Sequence, residues 1–216
     1  MIFFISCFRK KVFLMSKLIL LIFILLLSIN SAALAFPNEP TSFRGLSWGA
    51  SIEELKEKYP NSYEIKDDRV NTLIKQIDGT TLISYGTYLE NDSISNIPIV
   101  APIEYTFWNN QLESVHINIS GDSVAISSYN EKKMLAALED LYGECSSKFE
   151  EPFTDEPFTR MYFWEGPVCK IMFFSNYHDK GKYDSNVFLW LSSQKISSER
   201  LAQAQKTRRS QAKQGW

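Results

Sequence analysis

The sequence predicts an α+β fold in which mainly antiparallel sheet packs against two helices. Three observations support this prediction. The candidate elements occur in the order helix, strands, helix, strands; the turns between strands are short; and residues 112–119 alternate apolar and polar side chains. Short turns favour antiparallel pairing, and an alternation with a period of two is typical of a half-buried strand.

Residues 1–35 predict an export signal. Basic side chains precede the ten-residue apolar run Leu18–Leu27, and Ala33-Leu34-Ala35 follows as a small-x-small cleavage site, so that cutting after Ala35 would leave Phe36 as the new N-terminus. The run is too short for a permanent membrane span, which needs about 20 apolar residues. An N-terminal anchor that is not cleaved is the alternative. We therefore expect a periplasmic or secreted bacterial protein whose mature chain has no transmembrane segment.

Two helices are predicted in the body of the chain. Ser51 and Glu54 have the spacing of a capping box, which starts a short helix over 51–59 before Pro60. A longer helix is predicted over 123–142, because apolar side chains recur there at helical spacing and Gly143 suits its C-terminal cap. The apolar stripe of the longer helix consists of Met134, Leu135, Leu138, Leu141 and Tyr142.

The strands are predicted from runs of β-branched and aromatic residues bounded by turn residues. These runs are Tyr63–Lys66, Val70–Ile77, Thr81–Leu89, Ile97–Trp108, Leu112–Ile119, Phe158–Trp164, Pro167–Phe174 and Asn186–Ser192. The sequence predicts a hairpin turn at Asn109-Asn110-Gln111 and loops at 144–157 and 176–185. Residues 36–194 therefore form one α+β domain or two closely packed halves, 43–120 and 121–194.

The charge of the chain is divided between segments of opposite sign. Of 23 basic and 25 acidic residues, 13 basic and 24 acidic ones lie in 36–194, whereas the tail 195–216 has six basic residues and one acid. An acidic body argues against nucleic-acid binding, which needs a basic face for phosphates. The basic tail is expected to form two or three helical turns and then a frayed end, which either makes a weak contact with anionic lipid or an acidic partner or is simply solvated.

Two cysteines, Cys145 and Cys169, remain after cleavage of the leader. An even number of cysteines in an exported chain favours one disulfide, and a helix end packed on a neighbouring strand would bring the two residues together. Two buried free thiols are the alternative.

No recognisable set of catalytic, cofactor-binding or metal-binding residues occurs in the sequence. The two histidines, His116 on a strand and His178 in a loop, have no Cys, Asp or Glu at zinc-ligand spacing. The loop around His178 is rich in oxygen ligands but lacks a calcium-binding pattern. Glu-Pro-Phe-Thr occurs at 151–154 and again at 156–159, either as a partner-contact segment or as a plain connection.

The opening segment Phe43-Arg44-Gly45-Leu46-Ser47-Trp48-Gly49-Ala50-Ser51 resembles the start of a group of exported bacterial proteins with the motif F-x-G-x-x-W-G-x-S/T. A second element of that group, a helix ending in L-x-x-L-Y-G, is similar to Leu138–Gly143, and Trp164 with a closing hydrophobic strand fits as well. In outline such modules also resemble the small outer-membrane assembly lipoproteins, although no cysteine directly follows the apolar run here. The resemblance implies an exported helix-on-sheet module and carries no activity or functional residue.

These observations favour a non-enzymatic binding or accessory module of the cell envelope, which binds an envelope protein or a small ligand and needs no cofactor. An envelope hydrolase with a spatial site near His116 or His178 is the first alternative. An apolar small-ligand carrier is the second, because the chain contains 15 Phe, 10 Tyr and 5 Trp. Such a carrier would need a cavity of roughly 300 Å³ or more.

Overall fold

An eight-stranded antiparallel sheet forms the body of the chain, as the computed structural model shows. The structure describes residues 35–66, 80–89, 92–99, 101–151, 158–177 and 185–214, which belong to one compact unit spanning 35–216. The predicted strand Val70–Ile77, most of the two Glu-Pro-Phe-Thr segments and His178 lie outside the described residues.

The described elements alternate as the sequence predicts, and the α+β class is confirmed. The strands are β1 Ser42–Phe43, β2 Leu46–Ser47, β3 Tyr63–Ile65, β4 Leu82–Thr87, β5 Ser93–Ile94, β6 Ile97–Pro98, β7 Ile103–Trp108, β8 Gln111–Asn118, β9 Ser147–Glu151, β10 Phe158–Glu165, β11 Cys169–Tyr177 and β12 Ser185–Ser193. The helices are α1 Ile52–Lys58, α2 Val124–Tyr142 and α3 Gln194–Gln214. The predicted strand over 97–108 is divided between β6 and β7, and β9 lies in a segment predicted to be loop.

The large sheet is built from two similar halves. The strand order is β3-β4-β7-β8-β12-β11-β10-β9, so four strands of the first half lie beside four strands of the second. A helix precedes each set of four strands along the chain, α1 in the first half and α2 in the second. The halves meet where β8 pairs with β12, with Ile117 opposite Leu189 and Val115 opposite Leu191. Two small hairpins, β1–β2 and β5–β6, complete the described strands.

The capping box of α1 and the glycine at the end of α2 are where the sequence predicts them, whereas the cap at the start of α2 was not predicted. Ser51 accepts a hydrogen bond from the Glu54 backbone N–H, and the Glu54 carboxylate accepts one from the Ser51 N–H, which completes a capping box. Ser123 caps α2, and Gly143 ends it with φ 76° and ψ −170°. The two-residue turn between β7 and β8 places Asn109 and Asn110 at φ 50° and 59°, a conformation that asparagine tolerates better than most residues.

The apolar core lies between α2 and one side of the sheet, which we call the core face. Val115, Ile117, Leu189, Leu191, Ile171 and Phe173 project from this face and are buried. Met134 and Leu138 of α2 are buried in the same cluster, whereas Leu141, assigned to the apolar stripe from sequence, is 50% exposed.

The C-terminal helix α3 is longer than the sequence suggests. It runs from Gln194 to Gln214 without interruption, where two or three turns and a frayed end were expected. Its first turns are anchored to β8, because Ser197 Oγ and Arg200 Nε both donate hydrogen bonds to the buried Glu113 carboxylate. These hydrogen bonds link distant parts of the chain. They anchor α3 to the sheet although the helix has no continuous apolar stripe.

Candidate binding surface

The side of the large sheet opposite the core face, which we call the open face, has an unusually apolar half. Two rows of side chains cross β9 to β12 there. One row contains Phe188, Phe174, Met161 and Phe149 in register, and the next contains Trp190, Met172 and Phe163. We call these seven side chains the aromatic platform. Because neighbouring strands are about 4.8 Å apart, the longer row spans about 14 Å between Cα positions.

The platform is accessible although it is part of a sheet. Trp190 and Phe149 are 43% and 42% exposed, and the other five side chains are half-buried. The rings of Phe174 and Phe188 stack on one another with centroids 4.5 Å apart. Their faces are therefore turned toward each other, and their edges point outward. Large apolar side chains gathered on one exposed face form a surface on which another molecule can bury apolar area.

Polar side chains surround the platform. On the neighbouring strand β8, Asn118 lies opposite Phe188, and His116 lies opposite Trp190. Lys170 lies over the Phe163 ring at 4.9 Å and forms an ion pair with Glu165. A contiguous apolar centre with a polar rim is the arrangement that protein interfaces commonly have.

His116, a candidate from the sequence, lies at the margin of the platform. Its ring is 4.9 Å from that of Phe188, and its Nδ1 atom is 3.7 Å from a carboxylate oxygen of Glu104. Burial lowers the pKa of His116, and the Glu104 charge opposes this effect only in part. Within the described chain His116 makes no hydrogen bond to a hydroxyl or a thiol, so the structure pairs it with a carboxylate and no nucleophile.

A second polar cluster lies beneath the sheet, on the core face. Glu131 of α2 is 2% exposed, and its carboxylate accepts hydrogen bonds from Ser175 Oγ and Tyr177 Oη at 2.7 Å each and from Arg160 Nη1 at 3.0 and 3.1 Å. Desolvation and the adjacent Glu131 charge raise the pKa of Tyr177, so this hydroxyl stays protonated and donates. Every contact of this buried carboxylate is internal, which identifies the cluster as a tie between α2 and the sheet.

The predicted disulfide is not present, since Cys145 and Cys169 are both free thiols. Cys169 opens β11 on the core face, where its side chain is fully buried and its Sγ lies 3.6 Å from the Lys170 carbonyl oxygen. Cys145 is in the half-exposed loop after α2. The two residues adjoin the same core from different elements, and burial raises the pKa of Cys169 to about 12.

The segment that follows the predicted cleavage site is part of the fold. Phe36 is buried against Tyr142, with the two rings edge to face at 5.5 Å. The Glu39 carboxylate accepts hydrogen bonds from the backbone N–H groups of Val168 and Cys169. These contacts fix the start of the compact unit to the end of α2 and to the β10–β11 turn.

Two cavities are lined by residues that the structure describes. An apolar cavity of about 90 Å³ lies between Phe43 of the first hairpin, Met134 and Leu138 of α2, and Leu189 and Leu191 of β12. A hollow of about 490 Å³ lies along one side of α3, and its described lining is polar and basic. No group of three or more His, Cys, Asp or Glu residues is placed to hold a metal ion in the part of the chain that the structure describes.

Sequence reasoning did not find the platform, although a signal for it exists. Met161, Phe163, Met172, Phe174, Phe188 and Trp190 occupy alternate positions of three strands whose intervening residues fill the core. A strand that is apolar on both faces normally lies in a sheet covered on both sides. Here one side packs on α2, so the excess apolar residues of the other side mark a surface available to a partner.

Comparison with models of protein families, with curated proteins and with solved structures finds no match to this chain. None of the helices within the described ranges has the length and apolar character needed to cross a bilayer.

Proposed function

We propose that this protein is a non-enzymatic binding module of the bacterial cell envelope, and that it holds a partner protein on its aromatic platform. The observation that carries the proposal is the placement of seven large apolar side chains in two registered rows on the open face. Export to the periplasm or beyond rests on the leader predicted in residues 1–35.

The ring geometry favours a protein partner over a sugar. A sugar ring stacks on an exposed aromatic face, but Phe174 and Phe188 cover each other's faces and present edges. The ring edges, together with the flexible thioethers of Met161 and Met172, can pack against the irregular surface that the apolar side chains of a protein partner form. We therefore expect the partner to offer a short segment with several apolar side chains.

The size of the platform disfavours a second copy of this chain as the partner. The two rows, about 14 Å and about 10 Å long and about 7 Å apart, offer a few hundred Å² of apolar surface. A stable dimer buries about 800 Å² on each partner. A peptide segment or one face of a helix, rather than a whole sheet, matches this area.

The experiment compares two exposed platform residues, Trp190 and Phe149, with two residues of α2 that are more exposed, Tyr129 and Leu141. A photo-crosslinking amino acid placed at Trp190 should capture a defined envelope protein in living cells, and the same amino acid at Tyr129, which is 63% exposed on α2, should not. With that partner purified, the variant Trp190→Ser/Phe149→Ser should bind at least about tenfold more weakly, because interface aromatics are typical hot spots.

The matched control is the variant Tyr129→Ser/Leu141→Ser, which removes similarly exposed apolar side chains from α2. It should leave the affinity unchanged. Equal crosslinking from both positions, or equal weakening by both double variants, would contradict the assignment of the platform as the contact surface.

The alternatives have weaker support. For the hydrolase, His116 has Glu104 beside it but no described nucleophile within hydrogen-bonding distance. For the carrier, the apolar cavity of about 90 Å³ is well below the roughly 300 Å³ that a small-ligand site needs. Neither alternative uses the platform.

A further inference from the structure

The helix α3 has two different sides. Ile196, Arg200 and Ala204 recur on the inner side, where Ile196 is 5% and Ala204 0% exposed. The opposite side has four exposed cationic residues at helical spacing, which we call the basic stripe: Lys195, Lys206, Arg209 and Lys213. At 1.5 Å per residue this stripe is about 27 Å long.

Within the described ranges, no acidic side chain pairs with the cations of the basic stripe. Its four cationic side chains make no ion pair or hydrogen bond within the described chain, and one acid, Glu199, lies on that side of the helix. The stripe also contrasts with residues 36–194, whose formal net charge is −11. An anionic surface would attract α3 and repel the rest of the protein, so that α3 would face it.

The side chains between these cations indicate which kind of anionic partner the stripe would bind. Ala202, Gln205 and Ser210 lie beside the cations, and all three are small or uncharged. The stripe lacks the aromatic and apolar anchors by which one protein selects another. A straight row of separate cations is instead suited to a flat anionic surface whose charged groups can diffuse to positions opposite the cations.

We propose that the basic stripe of α3 binds the surface of an anionic phospholipid bilayer. Without an apolar side that could enter the hydrocarbon, α3 would lie at the headgroups and be held by charge alone. Such binding is reversible and screened by salt, and it would leave the aromatic platform free for a partner. The inference is independent of the function proposed above, because it concerns a different element and a different ligand.

The test is sedimentation of the purified chain from residue 36 onward with vesicles. Vesicles of phosphatidylglycerol and phosphatidylethanolamine should carry the protein down, and vesicles of phosphatidylcholine should not. Raising the salt from about 0.1 M to about 1 M should release it, because the Debye length falls from about 10 Å to about 3 Å. Binding that persists in high salt, or that is equal on neutral vesicles, would overturn the proposal.

The decisive variant is Lys206→Gln/Arg209→Gln/Lys213→Gln. Each cation near an anionic membrane contributes a factor of about five, so the loss of three should weaken partitioning about a hundredfold. The matched control Lys58→Gln/Lys66→Gln/Lys132→Gln removes three exposed lysines outside α3 and makes the same change in net charge. Circular dichroism should show unchanged helix content in both variants.

Two outcomes separate a membrane from other polyanions. Equal weakening by the control variant would show that only net charge matters and would overturn the role of the stripe. Retention on duplex DNA or heparin without sedimentation on anionic vesicles would show that a soluble polyanion is the ligand, and would overturn the assignment to a bilayer. Neither outcome bears on the platform, which the crosslinking experiment tests separately.

Discussion

Burial and charge conflict at Glu131, a residue of α2. Its carboxylate is withdrawn from water into the core face and receives hydrogen bonds from Ser175, Tyr177 and Arg160. A buried charge of this kind is tolerated because its lone pairs are satisfied, and removing it leaves several donors with one acceptor fewer. No local pattern in the sequence predicts this burial, because Glu131 lies one turn before Met134 on α2 and the groups that surround it come from β10 and β11.

Replacing Glu131 with Gln should lower the free energy of unfolding by about 2 to 4 kcal/mol, because it removes the charge that Arg160, Ser175 and Tyr177 surround. Urea unfolding at neutral pH measures the change. Glu139→Gln, an exposed position of the same helix, should change it by less than about 0.5 kcal/mol. Similar effects of the two substitutions would show that the Glu131 cluster is not a stabilising tie.

His116 should make stability depend on pH. Burial holds the pKa of its folded form below the ordinary value, so the unfolded chain takes up the proton at a higher pH than the folded protein does. The stabilising contribution of neutral His116 is therefore complete above about pH 6.5 and is lost as the pH falls from there toward the folded pKa.

The variant His116→Gln should lack this part of the pH dependence. Between about pH 7.5 and about pH 5.5, the urea midpoint of the natural protein should fall further than that of the variant. Titratable groups that do not interact with His116 are common to both proteins, so their contributions cancel in the comparison. Parallel loss of stability in the two proteins would contradict the lowered pKa.

At the scale of elements, prediction from sequence succeeded where the signal is local. The capping box of α1, the terminal Gly143 of α2 and the alternation in β8 all depend on neighbouring residues, and all are present in the structure. The strand β9 was missed because its sequence, Ser-Lys-Phe-Glu-Glu, has no clear alternation, and it exists through pairing with β10. The length of α3 was missed because Glu113 of β8, far away in the sequence, anchors it.

Gly143 connects two elements and should resist replacement. Its φ of 76° with ψ of −170° lies in a region that is essentially restricted to glycine, and this conformation directs its carbonyl to the indole N–H of the buried Trp164. Gly143→Ala should lower the free energy of unfolding by about 1 to 3 kcal/mol.

Asparagine provides the control for Gly143, because it is tolerated in the left-handed helical region but not at ψ near 180°. Gly143→Asn should therefore be no better than Gly143→Ala in urea unfolding. Substantial rescue by Asn would place Gly143 in the ordinary left-handed conformation of a helix cap and would contradict the geometry described here.

At the scale of the whole molecule, the two halves share one sheet and one core. Each half supplies a helix and four strands of the large sheet, but the seam between β8 and β12 buries Ile117 and Leu189 opposite one another. The sequence predicted two closely packed halves as one of two arrangements, and could not show which strands join them. The platform escaped prediction for the same reason, because its rows exist only once β9 to β12 lie in register.

The shared seam predicts that the halves unfold together. Leu189→Ala removes a buried side chain at the seam and should lower the free energy of unfolding by about 2 to 5 kcal/mol. If the sheet unfolds as one cooperative unit, the globally protected amides of β7 and β8 should exchange faster by the same factor as those of β11 and β12. Hydrogen exchange with mass spectrometry measures both sets in one experiment.

Leu201→Ala, at a 49% exposed position of α3, is the control and should leave both sets nearly unchanged. Faster exchange confined to β11 and β12 would mean that the first half keeps its structure alone, and that the seam joins two independent folding units.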